Sequence, residues 1–421
     1  MEHYLRAELS RRAVTQNLRV IRSRLPAGCR LCAVVKADAY GHGLSALLAT
    51  IAAGADALAV ATVPEALAIR QAGYEGPILA TMAYGVSTGG EALDIAAEAM
   101  RCRIDITLAA AADVMPLAKL AGRLKARPDV HVKVDTGMGR SGVAPADAPE
   151  LVAAVRSAAP LHLAGIYTHF AASDEFDKSH ANQQFARFQR VLRKVQPLTG
   201  VLRHAANSAA VADMPHTALD MVRPGISIYG YPPSWELASP LPVRPILRLV
   251  APIVQIKSLA AGSTCGYGSL SRITRDSRVG IVPGGYGDGI SRQLAGRYAV
   301  GVNGKMAPVL GRISMDQIIV DLTDVAGAHV GQTAELISPD PAAPNSVANL
   351  ARILGTIPYE VTCRLGRRVT YKVVSDFDLP APPPANTTGS FASDTQRQTP
   401  TVNATEVPSP ADAVHHEVVK A

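Results

Sequence analysis

Eight short apolar runs, spaced by alanine-rich stretches of helical period within roughly 220 residues, leave this chain few ways to fold. The runs are Leu31 to Val35, Ala57 to Ala61, Pro77 to Met82, Ile104 to Leu108, Val130 to Val134, Leu163 to Thr168, Val201 to His204 and Leu219 to Val222. Each is too short for a helix and too uniformly apolar to keep one face in water, which is the pattern of a strand covered on both faces in a parallel sheet. Parallel neighbours need crossover connections, and the intervening stretches, such as Pro64 to Gln71 and Gln183 to Val195, read as helices. Eight such units are the arithmetic of an α/β fold, a (β/α)8 barrel over residues 10–235. A doubly wound open sheet is the alternative, but no G-x-G-x-x-G opens a helix after the first run.

The character changes after Gly230. Pro232, Pro233, Pro240, Pro242 and Pro245 mark a linker, and period-two alternation with β-branched residues follows. Leu247 to Ser258, Ser277 to Val282, Tyr298 to Val302, Met306 to Leu310, Gln317 to Asp321, Thr333 to Leu336 and Arg368 to Val374 read as strands of a mostly-β C-terminal domain. Tyr4 to Leu9 alternates as well, so residues 1–9 and 236–376 are expected to form this domain together. Residues 377–421 are a Pro/Thr/Ser/Ala tail with too little apolar surface to offset the entropy of ordering it.

With 421 residues, 48% of them hydrophobic, the chain can bury a large core and a smaller second one. The net charge of +7 is scattered in pairs such as Arg11-Arg12 and Arg367-Arg368, without the basic run that a nucleic-acid partner would call for. Five cysteines make an odd number in a long chain, which speaks for reduced thiols. The charged N-terminus lacks the apolar centre of a signal peptide, and no uncharged apolar run is long enough to span a membrane. A cytoplasmic protein that binds no membrane is expected.

In a barrel, working residues gather just after the strands. Lys36 follows the first run, Lys133 and Asp135 to Arg140 the fifth, His169 the sixth, Asn207 and Ser208 the seventh, and Arg223-Pro224-Gly225 the eighth. All would open on one rim. A lysine at the edge of an apolar enclosure loses its proton more easily than in water, as an amine must in order to form a Schiff base. Loops after the last two strands commonly hold phosphate: Ser208 offers a hydroxyl at the start of a helix, and Gly225 lets backbone amides approach an oxygen.

The string Ala33-Val34-Val35-Lys36-Ala37-Asp38-Ala39-Tyr40-Gly41-His42-Gly43 closely resembles the pyridoxal-phosphate segment of alanine racemases. The resemblance extends over about residues 4 to 374, through Arg223-Pro224-Gly225-Ile226-Ser227-Ile228-Tyr229-Gly230, Thr264-Cys265-Gly266-Tyr267-Gly268, Pro283-Gly284-Gly285-Tyr286-Gly287-Asp288-Gly289 and Gly311-Arg312-Ile313-Ser314-Met315-Asp316-Gln317. It implies pyridoxal 5'-phosphate as cofactor, joined to Lys36, with its phosphate held by Tyr40, Asn207, Ser208, Gly225, Ile226 and Tyr359. Arg223 would face the pyridine nitrogen. Since a guanidinium only donates, that nitrogen would stay unprotonated and the ring a mild electron sink, which favours brief deprotonation at Cα.

Racemisation needs a base on each face of Cα. The resemblance implies Lys36 on one face and Tyr267, from the other subunit of a homodimer with shared active sites, on the other, with His169 linking that tyrosine to Arg223. It implies Arg140 and the backbone amide of Met315 for the substrate carboxylate, Tyr286 and Tyr359 at the entrance, and Lys133 and Asp316 in support, the lysine often carbamylated so that it holds the arginine. Ser314 departs from the cysteine expected beside Met315. The implied activity is interconversion of L- and D-alanine, for D-alanine biosynthesis and peptidoglycan precursors. The alternatives are a racemase of wider substrate range on the same scaffold, a related decarboxylase, which Arg223 argues against, and a cofactor-binding barrel without enzymatic activity, against which the second domain counts.

Overall fold

The computed structural model describes residues 4–269 and 271–377; the tail assigned to residues 377–421 lies, beyond its first residue, outside the described residues. The eight apolar runs form the eight strands of a closed parallel barrel: Arg30–Val34, Ala57–Val60, Ile78–Ala80, Asp105–Leu108, Asp129–Lys133, His162–Tyr167, Leu202–His204 and Met221–Val222. Each pairs with the next, and the eighth returns to the first through Met221 with Arg30 and Val222 with Leu31. The second strand shows why the apolar runs were legible, since all four of its residues are buried. Helices cross between the strands, including Val63–Gln71, started by a capping box in which Thr62 and Glu65 satisfy each other's backbone amides.

The barrel interior is less apolar than the pattern implies. Thr107, His131, Tyr167 and His204 are all buried, and they bond to one another instead of forming an aliphatic layer: Thr107 Oγ1 lies 3.0 Å from the Tyr167 hydroxyl, and His131 Nδ1 lies 2.9 Å from His204 Nε2.

A nine-stranded sheet follows. From one edge its order is Gln255–Leu259, Ser277–Pro283, Gln317–Asp321, Lys305–Leu310, Ala299–Val302, Thr333–Ile337, Leu247–Pro252, Arg6–Ser10 and Thr370–Val374. The N-terminal strand lies inside this sheet, antiparallel to Leu247–Pro252 and parallel to Thr370–Val374, so the chain begins in the second layer before entering the barrel. Ser10 ends that strand and caps the helix Arg11–Arg22, its hydroxyl accepting from Ala13 N at 3.0 Å.

Two expectations about this part are corrected. The run Leu247 to Ser258 is two strands: beyond Pro252, which has no N–H to extend the ladder, the chain leaves Thr333–Ile337 and pairs with Ser277–Pro283 instead. Two helices, Val347–Leu354 and Pro358–Cys363, were also missed. Their signals are present in the sequence: Ser346 accepts from Asn349 N, Gly355 takes φ +65° at the first helix's end, and Pro358 opens the second.

Candidate active site

Lys36 follows the first barrel strand, and the segment after it is a tight turn. Ala37, Asp38, Ala39 and Tyr40 all have φ between 51° and 56°, a left-handed turn built without glycine. Each such residue costs about 1–2 kcal/mol relative to a right-handed one, so the surroundings must hold the turn in place. They do so at both ends. The Glu65 carboxylate accepts from Ala37 N at 2.7 Å while also bonding Ala61 N and Thr62 N, tying the loops after the first and second strands together. Asp38 accepts from Leu44 N at 2.6 Å, and the Tyr371 hydroxyl from the large sheet donates to Gly41 O at 2.9 Å. The turn swings Tyr40 back into the barrel mouth, where its ring packs against Tyr229 and Tyr359.

A cavity of about 170 Å3 opens there, at the C-terminal ends of the strands. Lys36, Tyr40, Lys133, Arg140, His169, Asn207, Ser208, Arg223, Gly225, Ile226 and Tyr359 all line it, so eleven expected residues from five strand ends and the helix Pro358–Cys363 converge. Val34, Thr81 and Tyr167 complete the wall. No role was expected for Tyr167, because one buried tyrosine on a strand looks like any other. It lies under the cations, 5.0 Å from Arg223 Cζ and 5.7 Å from Lys133 Nζ.

Four expected residues do not line the cavity. Tyr267, Met315 and Tyr286 are 68%, 51% and 44% exposed in the β domain, and Asp316 makes an ion pair with Arg368 at 2.6 Å.

One end of the site is a cradle of neutral donors. Ser208 Oγ accepts from Gly225 N at 2.9 Å, joining the loops after the last two strands. Ser208 starts the helix Ser208–Asp213, as expected, and Asn207 caps it: Asn207 Oδ1 accepts from Ala210 N at 3.0 Å and from the Ser173 hydroxyl at 2.9 Å. This frees the serine hydroxyl to face the cavity. Burial holds the phenols of Tyr40 and Tyr359 above their usual pKa, so both remain O–H donors.

At the other end are cations. Burial, with the charge of Arg140, lowers the pKa of Lys36, and burial with Arg140 and Arg223 brings Lys133 down to about 8. Arg223 donates through Nη2 to Thr168 O at 2.8 Å and lies 3.4 Å from His169 Nδ1, whose pKa burial and the guanidinium hold well below the usual value. The loop carrying Arg140 is shaped by Asp135, whose carboxylate accepts from the amides of Gly137, Met138, Gly139 and Arg140 at 2.8–3.2 Å.

This donor set fits pyridoxal phosphate: hydroxyls and amides suit a phosphate, an amine with a lowered pKa suits an aldehyde, and a guanidinium, donor only, suits an unprotonated ring nitrogen. Fold and site together define a barrel enzyme of the pyridoxal-phosphate class, with Arg223 in the cavity wall.

The comparisons narrow the class. Residues 9–233 match the alanine racemase N-terminal domain and residues 246–373 the C-terminal domain. The alanine racemase of Desulfovibrio desulfuricans is 39% identical over 368 residues, covering 86% of this chain and 96% of its own. Among solved structures, an alanine racemase from Clostridium difficile 630 superposes with a TM-score of 0.82 at 30% identity, covering 89% of this chain and 97% of its own. That of Streptomyces lavendulae, a D-cycloserine producer, reaches 0.81 at 34% identity over 89% and 98%. The chain belongs to the alanine racemase family, isomerases that depend on pyridoxal 5'-phosphate.

Proposed function

We propose that this chain interconverts L- and D-alanine in a homodimer, with Lys36 serving one face of Cα and Tyr267 of a second copy serving the other. The observation that carries this reading is a division of labour: eleven expected residues line one cavity, whereas Tyr267, Met315 and Tyr286 stand exposed in the β domain of the same chain. A site that needs both groups draws the second from a neighbour.

When bound, pyridoxal phosphate withdraws electrons from the substrate, so that the Cα proton becomes acidic. Tyr40, Ser208, the amide of Ile226 and Tyr359 hold the phosphate, with Gly225 leaving room for its oxygens and Asn207 acting through the helix it caps. Lys36, with its lowered pKa, is a neutral amine for part of the time and takes or returns the proton at one face. Tyr267 of the second copy does the same at the other face. Arg140 and the Met315 amide orient the substrate carboxylate, Tyr286 narrows the entrance, and His169 connects Tyr267 with Arg223. Asp316, through Arg368, steadies the loop that carries Met315.

Lys133 sits among Arg140, Arg223 and Lys36 with Asp135 as the nearby acid, and its pKa near 8 leaves some free amine at neutral pH. Carbamylation there would replace a repelled cation by an anion that pairs with Arg140. The D-alanine formed would enter peptidoglycan precursors in the cytoplasm.

The test is racemisation of L-alanine by the purified protein with and without added cofactor, with L-serine, L-lysine and L-arginine run alongside. Cofactor-dependent loss of optical rotation with alanine alone supports the reading, and equal rates with the larger substrates would replace it with a racemase of broad range.

A further inference from the structure

A line of buried polar groups runs from the active site down the barrel axis, and the proton transfers above give it no task. Arg223 Nη1 donates to His204 Nδ1 at 2.8 Å, and His204 Nε2 lies 2.9 Å from His131 Nδ1. His131 Nε2 faces Asp105 Oδ2 at 3.4 Å, an ion-pair separation without the geometry of a hydrogen bond. Asp105 and His131 border a separate cavity of about 380 Å3 at the N-terminal ends of the strands, opposite the catalytic mouth.

The position of every proton on this line follows from its first member. A guanidinium only donates, so His204 Nδ1 accepts. Burial and the Arg223 charge keep His204 neutral, and its single proton therefore sits on Nε2. That proton points at His131 Nδ1, which accepts in turn, leaving the His131 proton on Nε2 and directed at Asp105. The ring of His204 also stacks on Tyr167 at 4.7 Å, and the same tyrosine lies beneath Arg223, so guanidinium and imidazole rest on one platform.

We propose that Asp105 and His131, at the far end of the barrel, are positioning residues for Arg223. His131 accepts the Nε2 proton of His204 and is itself faced by Asp105, so the imidazole beside Arg223 is anchored at both nitrogens and the guanidinium is held as a fixed donor towards the cofactor ring. The proposal rests on the reading that Arg223 faces the pyridine nitrogen.

The experiment uses the full chain labelled with 15N-histidine and 15N-arginine, followed by long-range proton–nitrogen correlation spectra before and after addition of pyridoxal phosphate. Wild type is compared with D105N, with H131Q, which keeps an acceptor for His204, and with H131F, which removes it. Before any cofactor is added, both wild-type imidazoles should be neutral with the proton on Nε2. D105N should move the His131 signals while leaving the His204 tautomer intact. H131F should shift or broaden the Arg223 guanidinium signals and lower kcat about tenfold at nearly unchanged KM, and H131Q should recover to within about twofold of wild type.

A wild-type proton on Nδ1 of either histidine, or unchanged guanidinium signals in folded H131F, overturns the proposal. If H131F does not fold by circular dichroism, the wild-type tautomers together with the D105N spectra decide it alone. Disturbed guanidinium signals with an unaltered cofactor absorbance band would leave the chain of tautomers standing and sink the reading of Arg223 instead.

Discussion

A methyl group placed on Gly225 would lie 2.2 Å from the hydroxyl oxygen of Tyr40. The glycine has an ordinary negative φ, −122°, so its missing side chain serves the approach of Tyr40 and not backbone conformation. Tyr40 cannot simply step aside, because Tyr229 and Tyr359 pack its ring at centroid distances of 5.1 and 5.8 Å. Gly225→Ala should therefore push the phenol out of the cradle and cost about one hydrogen bond to a charged group, a loss of about tenfold or more in cofactor affinity. Titrating the apoprotein with pyridoxal phosphate and following absorbance reads this directly; an unchanged Kd would remove Tyr40 from the phosphate site.

The two bases are expected to sit on different chains at each site. Lys36→Ala should abolish both activity and the absorbance band the cofactor acquires when covalently held, and Tyr267→Phe should slow exchange of the Cα proton of one enantiomer far more than of the other. Mixed after denaturation and refolding, the two inactive variants should regain activity, since random pairing gives each heterodimer one intact site, about a quarter of wild-type sites in all. Absence of any recovery, with heterodimers demonstrated by a tag, would place Tyr267 and Lys36 of one chain at the same site.

Lys133 ties stability to pH. Its folded pKa of about 8 lies below the ordinary lysine value of 10.5, so between these limits the unfolded chain binds more protons. The penalty for burying the cation is fully present below pH 8 and disappears as pH rises towards 10.5. The urea midpoint should accordingly contain a component that rises across that window in wild type and is absent in Lys133→Gln. A wild-type protein carbamylated at this position would instead show a mass heavier by one carbon dioxide and lack the rise.

Glu65 holds the left-handed turn through three backbone amides and the Thr62 hydroxyl. Glu65→Ala should destabilise the fold by about 2 kcal/mol, while Glu65→Gln, which keeps one acceptor oxygen, should lose less. Amide exchange at residues 37–41 should speed up in both variants more than in the other strand-end loops. Uniform acceleration across the barrel would show that the carboxylate supports the fold as a whole and not this turn.

The alternation of apolar runs with helical stretches settled the barrel because parallel strands covered on both faces read as short, unbroken apolar segments, a local property. The same arithmetic set Lys36, Lys133, His169, Asn207 and Arg223 on one rim, since position after a strand decides which end of a barrel a residue occupies. What composition could not reveal was conformation held from a distance. Ala37 to Tyr40 are ordinary residues in an unfavourable turn only because Glu65 and Tyr371 restrain them from elsewhere in the chain. Asn207 took the cap and left Ser208 free because Gly225, seventeen residues on, supplied the serine with a donor. His131 and His204 look like isolated strand residues in the sequence, and they meet at 2.9 Å because barrel closure brings their strands' interior faces together. Local pattern determines which elements form and which way they face; which side chains touch across the closed barrel depends on contacts between residues far apart along the chain, and those exist only once it has folded.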